Sequence, residues 1–117
     1  MKPFWWAMEG VIHAIRTERN MRVHVIAACL VTVFAFWLET STMENLILFG
    51  WVVAVFTLEL VNTAIERTVD LVTTEIKPLA KRAKDVAAGA VLVASIGAAV
   101  TASVIFVPHL IAVWNML

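Results

Sequence analysis

Three apolar runs, each long enough to cross a lipid bilayer, constrain this chain more than any other feature of its sequence. We place them at about 21–38, 45–72 and 86–107. A helix needs about 20 mainly apolar residues to span a bilayer, and lipid excludes any segment whose backbone polar groups lack partners. The composition agrees, because 62% of the 117 residues are hydrophobic and only 15% are charged. The sequence therefore predicts one all-α integral-membrane domain over residues 1–117.

The residues before the first run have the pattern of an amphipathic helix over 4–20. Its apolar residues recur at helical spacing, and its polar face is basic. Tryptophans beside a basic face are typical of a helix that lies at the membrane surface. Further along, Ser41 and Glu44 have the spacing of a capping box, which predicts a helix start there. Pro108 is expected to end the third span, ahead of an apolar tail.

The basic residues predict the orientation. All 9 lysines and arginines lie either before or at the start of the first span, or between the last turns of the second span and the start of the third. The positive-inside rule places those segments in the cytoplasm and the C-terminus outside. The formal net charge is zero, which gives no argument for a nucleic-acid partner.

Polar residues within the second span mark the candidate site. These residues are Glu59, Asn62, Thr63, Glu66 and Asp70. Their spacing of i, i+3, i+4, i+7 and i+11 places them on one face of a helix. Ionisable residues inside a membrane are expensive and usually functional. Burial disfavours the ionised form of Glu59, which suits a general base; the alternative is a protonated structural carboxyl. Asn62 and Thr63 fit substrate contacts or hydrogen bonds between helices.

Two carboxylates from different helices are candidate ligands for magnesium, which takes oxygen ligands and shares them with phosphates. They are Glu66 and Glu18, which lies at the junction of the surface helix and the first span. The alternative for Glu18 is an ion pair with Arg22, four residues on. Lys84 suits a phosphate contact and Asp85 could orient a lysine or a metal-bound water, although a lysine and an aspartate at a helix start also occur without function. The sequence contains neither the GxxxxGK[ST] loop nor the kinase-type GxGxxG loop, which are the two familiar glycine-rich motifs for binding phosphate.

Three sequence blocks resemble one known family. The segment Glu59-Leu-Val-Asn-Thr-Ala-Ile-Glu-Arg-Thr-Val-Asp70 is similar to the ExxNxAIExxxD signature of the small bacterial membrane lipid kinases, the prokaryotic diacylglycerol kinase and undecaprenol kinase family. The block Glu18-Arg-Asn-Met-Arg22 with His24, and the block that runs from Pro78 to Leu92, agree with it. The Glu18 block and Lys84-Asp-Val-Ala-Ala-Gly-Ala-Val91 look more like the Gram-positive, undecaprenol kinase branch.

The resemblance implies a homotrimer of three-span protomers, with active sites between protomers at the cytoplasmic face and transfer of the ATP γ-phosphoryl group to a lipid hydroxyl. Carried over by position, Glu59 looks like the catalytic base and Glu18 and Glu66 look like ligands of Mg²⁺. The other positions implied are nucleotide contacts at Glu75, Lys77, Lys84 and Asp85, a polar shell of Asn62, Asp70 and Arg22, and lipid contacts at Trp37 and Ala88.

Three positions depart from the family pattern. Many relatives have histidine at Lys77, some have serine at Ala7, and Arg67 is often smaller or apolar. The resemblance leaves undecaprenol and diacylglycerol both open as the lipid. From the residues alone, a non-enzymatic oligomer with a proton or cation relay is the competing function class. The clustering of the acids in the cytoplasmic half of the second span favours a catalytic site over a relay.

Overall fold

Four helices account for almost the whole chain. A computed structural model describes residues 2–117, and its helices are α1 (Lys2–Thr17), α2 (Arg19–Trp37), α3 (Thr42–Val72) and α4 (Pro78–Met116). The last three are long and apolar enough to cross a membrane, which agrees with the prediction of three candidate spans. Helices α3 and α4 form a long antiparallel pair, α2 packs mainly on α3, and α1 contacts α2 and α3.

The surface helix and the first span are separated by a single residue. Helix α1 ends at Thr17, three residues before the predicted end at 20, because Glu18 adopts an extended conformation (φ −106°, ψ 118°). The last carbonyls of α1 are then free to accept other donors. The guanidinium of Arg22 donates to the carbonyl oxygens of Ile15 and Arg16, at 3.2 and 2.9 Å. Arg22 thus holds the start of α2 against the end of α1.

The capping box predicted at the start of α3 is confirmed. The Ser41 Oγ accepts from the Glu44 backbone N–H at 3.1 Å, and the Glu44 carboxylate accepts from the Ser41 N–H at 2.9 Å. These two bonds satisfy backbone donors that a helix start leaves unpaired. Helix α3 has 31 residues, or about 46 Å at 1.5 Å per residue, so it extends beyond the hydrocarbon core of about 30 Å.

Helix α4 is longer than the sequence indicates at both ends. It begins at Pro78, where a missing N–H costs nothing in the first turn, and it includes the basic residues before the expected span. Helix α4 also continues past Pro108, the residue that follows the predicted third span, to Met116. Pro108 removes only one bond, the one that the Val104 carbonyl would accept, and long membrane helices tolerate such a loss.

Small residues let α3 and α4 approach closely. A Cβ atom on Gly97 would lie 2.5 Å from the Trp51 Cη2 atom, so the indole of α3 occupies the space that glycine leaves on α4. In lipid, this kind of packing takes the place of the hydrophobic effect between helices. The arrangement fixes which residues of α3 and α4 face each other at the site.

Candidate active site

The centre of the site is a buried carboxylate. Glu59 lies in the middle of α3 and is only 3% exposed. Its ionisable neighbour is His24 of α2, whose Nε2 lies 3.4 Å from a Glu59 carboxylate oxygen. An isolated ionised carboxylate is very costly away from water, so a buried one needs a partner or a proton. The pair is positioned to hold a proton at this depth.

The turn after Glu59 adds two buried polar side chains, Asn62 and Thr63. The Asn62 amide donates to the Glu66 carboxylate at 3.3 Å. The Asn62 Oδ1 and the Thr63 Oγ1 atoms have no hydrogen-bond partner among residues 2–117. Other helical hydroxyls, such as those of Thr32 and Thr68, donate to the carbonyl four residues earlier. Buried polar groups without partners are rare, and these two indicate a site for a polar ligand or a neighbouring chain.

Glu18 does not pair with Arg22. Its carboxylate accepts a hydrogen bond from the guanidinium of Arg67 on α3, whereas Arg22 binds backbone carbonyls at the end of α1. The alternative of a Glu18–Arg22 ion pair is therefore wrong. Since Arg67 directly follows Glu66, the contact brings Glu18 to the same level of the molecule as Glu66.

This donor set fits magnesium. Magnesium in phosphoryl-transfer enzymes is usually held by one or two carboxylates and by substrate phosphates, without a complete protein cage. Among residues 2–117, no three His, Cys, Asp or Glu side chains cluster closely enough to hold a metal ion by themselves. Glu18 and Glu66 are partly accessible carboxylates, and Glu66 is fixed on one side by Asn62. Such a pair suits a cation that arrives with a nucleotide.

Two lysines of α4 have different partners. The Lys84 Nζ lies 2.5 Å from the Asp70 carboxylate of α3, and both side chains are partly exposed. The Lys81 Nζ lies 2.6 Å from the Asp85 carboxylate, one turn further along its own helix. Lys84 thus reaches the acidic face of α3, whereas Asp85 is paired with Lys81 and not with Lys84.

The remaining predicted site residues lie outside this cluster. Glu75 and Lys77 are exposed in the α3–α4 connection, 3.7 Å apart. Ala88 is exposed on α4, about one turn beyond Asp85. Trp37 is the last residue of α2, 13 residues after His24, and so about 20 Å away along the helix axis. The structure therefore does not bring Trp37 to the carboxylates.

The sequence interpretation gave no role to His24 or to Ser95. Both line a cavity of about 230 Å³ between α2, α3 and α4, whose other walls are apolar. The Ser95 Oγ is buried without a partner. A signal for His24 was present, since a histidine within an apolar span is a candidate functional residue. Ser95 gave no signal because a serine among small residues is also typical of helix packing.

Comparison with known proteins agrees with the family resemblance. The profile of the prokaryotic diacylglycerol kinase family matches residues 5–106. Undecaprenol kinase of Bacillus subtilis is 47% identical over 109 residues, which are 93% of this chain and 89% of that protein. Diacylglycerol kinase of Synechocystis is 39% identical over 92% of this chain and 62% of that protein. Diacylglycerol kinase of Escherichia coli is 32% identical over 93% of this chain and 89% of that protein. The chain belongs to the prokaryotic diacylglycerol kinase family and is a membrane lipid kinase.

Proposed function

We propose that this lipid kinase transfers the ATP γ-phosphoryl group to the hydroxyl of undecaprenol, with magnesium, at the cytoplasmic face of the membrane. The observation that carries the proposal is the buried Glu59, seven residues before the partly exposed Glu66 on the same helix. This spacing puts a proton acceptor at lipid depth and a cation ligand about 10 Å nearer to the helix end. A lipid hydroxyl and a water-soluble nucleotide could thus meet between them.

The chemistry requires positioning and charge stabilisation more than covalent participation by the protein. The lipid oxygen forms a bond to the γ-phosphorus while the bond to the bridging oxygen of ADP breaks, and the hydroxyl proton passes to Glu59. Glu18 and Glu66 would hold magnesium, which neutralises charge on the β- and γ-phosphates when bound. Lys84 would stabilise the phosphoryl oxygens, and to do so it would have to leave Asp70.

The other predicted contacts have secondary roles in the proposal. Glu75 and Lys77 would contact the nucleotide from the connection after α3. The Asn62 Oδ1 atom, which is buried without a partner among the described residues, would accept a hydrogen bond from the substrate or from a bound water. Ala88, near the site, would contact the lipid close to its head, whereas Trp37, at the far end of α2, would contact only the distal part of a long chain.

We propose undecaprenol as the substrate, ahead of diacylglycerol, because the 47% identical relative is an undecaprenol kinase, whereas the relatives at 39% and 32% are diacylglycerol kinases. Both lipids present a primary hydroxyl near the head of an apolar chain. Diacylglycerol therefore remains the second candidate substrate.

The proposed topology has the N-terminus in the cytoplasm and the C-terminus outside. Ion pairs connect the α1–α2 junction to α3 and the end of α3 to the start of α4, so the basic segments share one end of the molecule. Helix α1 exposes Phe4, Trp5 and Trp6, as a helix at the membrane surface would.

We also propose a homotrimer with shared sites. The buried but unpartnered Asn62 and Thr63 atoms support a neighbouring chain there as well as they support a ligand. Mixing inactive Glu59→Gln protein with inactive Glu18→Gln protein tests the shared site. Recovery of activity on subunit exchange supports a site that takes Glu59 and Glu18 from different protomers, and failure to recover activity in demonstrably mixed oligomers places both carboxylates of a site on one protomer.

The alternative function, a proton or cation relay, lacks a continuous path of ionisable residues across the membrane, and the family assignment also speaks against it. The other end of α3 carries a partly exposed acid–base pair, Glu44 and His109, with 3.1 Å between Oε1 and Nε2. Glu44 lies 15 residues from Glu59, or about 22 Å along the helix. No ionisable residue occurs at 45–58 or at 86–108, so neither helix bridges the gap.

The experiment is transfer of labelled phosphate from ATP into lipid in mixed micelles, with undecaprenol and diacylglycerol offered separately. We expect product with undecaprenol, and a loss of about 10²–10⁴-fold in Glu59→Gln, the range for a general base. Glu39→Gln is the matched control, because Glu39 is exposed in the turn at the other end of α2. Equal activity of Glu59→Gln and the parent would refute the assigned base, and faster transfer to diacylglycerol would replace the proposed substrate.

A further inference from the structure

His24 touches the proposed base, and no part of the proposed mechanism uses it. Its Nε2 lies 3.4 Å from the Glu59 carboxylate, within ion-pair distance and longer than an ideal hydrogen bond. Contacts of this kind are often loose before substrate binds and tighten in the reacting complex. The imidazole is 20% exposed, whereas Glu59 is 3% exposed. His24 therefore lies between the buried carboxylate and more accessible space.

The other ionisable side chains of the neighbouring helices do not lie between Glu59 and the more accessible space. Helix α3 presents only apolar side chains to the cavity beside His24, and the polar side chain that α4 presents there, Ser95, does not titrate. On α1, Glu9, His13 and Arg16 line a separate surface groove. On α2 itself, Arg22 is engaged by the carbonyls at the end of α1. The next ionisable side chain along α3 is Glu66, which accepts from Asn62.

The reaction leaves a proton that must go somewhere. Each turnover converts an alcohol and ATP into a phosphate ester and ADP, and at neutral pH it releases the alcohol proton. If that proton stayed on a 3% exposed carboxylate, the base would not be available for the next turnover. Histidine is the side chain whose ordinary titration range includes neutral pH, so it can accept this proton and pass it to water.

From this geometry we infer that His24 is the proton partner of Glu59: it holds the carboxylate in place and takes the substrate proton from it to solvent. The inference rests on the proposed role of Glu59. In each turnover the hydroxyl proton moves to Glu59, then to the His24 imidazole, and then to water at the exposed side of the imidazole. The carboxylate is left ionised again, and no other reactant is needed. His24 acts through Glu59, as a positioning and proton-accepting residue, and need not touch the lipid.

The test replaces His24 in the full-length chain and supplies the missing base from solution. In His24→Ala we expect undecaprenol phosphorylation to fall about 10²-fold, at the lower end of the contribution of an acid–base group. The cavity of about 230 Å³ beside His24 offers room for free imidazole. We expect added imidazole to restore activity at least several-fold, with rates that depend on the basicity of a series of substituted imidazoles. Glu59→Gln, as control, should show no rescue.

A second variant separates proton transfer from packing. His24→Gln keeps an N–H donor for Glu59 but cannot titrate. We expect it to fold, to remain about as slow as His24→Ala, and to give a pH–rate profile that differs from that of the parent.

Parent-like activity and pH profile in His24→Gln would overturn the inference while leaving the kinase intact. Loss in His24→Ala without rescue by any imidazole would also overturn it. Absence of lipid phosphorylation by the parent, or an active Glu59→Gln, would instead refute the proposed function, so the two failures are distinguishable.

Discussion

Arg67 of α3 donates a hydrogen bond to the carboxylate of Glu18, the single residue between α1 and α2. The contact joins the surface helix, the first span and the second span at one point. It also gives a reason for arginine at position 67, for which the sequence offered none. Because Arg67 is a cation beside a proposed magnesium ligand, the guanidinium and the metal compete for the same carboxylate.

The first prediction follows from that competition. Arg67→Gln should lower the magnesium concentration for half-maximal activity, because Glu18 no longer has to leave a cation. A partly exposed ion pair is worth about 1 kcal/mol at most, so the shift should not exceed about fivefold. Magnesium titrations of the initial rate measure it. Arg67→Lys, which keeps the charge, is the control. An unchanged titration with a lower maximal rate would mean that Arg67 acts on the nucleotide and not on Glu18.

The second prediction contrasts two lysines of one helix. Lys84 reaches Asp70 across the α3–α4 contact and is 37% exposed, whereas Lys81 is 65% exposed and pairs within α4. Lys84→Met should therefore lower kcat by about 10²–10³-fold, the range for loss of one donor that stabilises transition-state charge. Lys81→Met should change it by less than about threefold. Steady-state rates at saturating ATP provide the comparison. Similar losses in both variants would contradict a specific role for Lys84.

The fold was largely predictable because bilayer thickness, hydropathy and cap chemistry act locally. The three spans and the Ser41–Glu44 capping box follow from such rules. The helix break at Glu18 did not, because no proline or glycine marks it and its partner Arg67 is 49 residues away. Helix α4 likewise does not end at Pro108, because the proline removes only one backbone hydrogen bond and long membrane helices tolerate that loss.

In the site, as in the fold, some features follow from local spacing along one helix and others depend on how the helices pack. Helical spacing alone put Glu59, Asn62 and Glu66 on one face, and the structure confirms that Glu59 and Asn62 are buried. The contact between Glu59 and His24 depends on how α2 packs against α3. The pairing of Lys84 with Asp70, and not with Asp85, likewise depends on the register of α3 against α4. Neither contact follows from spacing within one helix.

The third prediction concerns the end of the molecule away from the site. Glu44 closes the capping box of α3 and also contacts His109, one residue past Pro108 on α4. Ser41→Ala should lower the free energy of unfolding by about 1 kcal/mol through loss of the cap. His109→Gln should cost less, because the pair is partly exposed. Denaturant titration in detergent micelles measures both, and lipid phosphorylation per folded protein should be unchanged. A loss of activity in folded His109→Gln would link this end to the site.

The fourth prediction uses two glycines of α4 that differ in their surroundings. A Cβ on Gly97 would come within 2.5 Å of the Trp51 ring, whereas a Cβ on Gly89 meets nothing within 4 Å. Gly97→Ala must therefore push the indole aside or separate α3 from α4, and overpacking of this kind typically costs about 1–3 kcal/mol. Gly89→Ala gains helix propensity without a clash inside the protomer, and it should be neutral or slightly stabilising. Unfolding followed by tryptophan fluorescence in micelles should report both the loss of stability and the displaced indole in Gly97→Ala alone. If Gly89→Ala were the more damaging change, the close contact at Gly89 would lie between protomers and the α3–α4 contact at Gly97 would be adaptable.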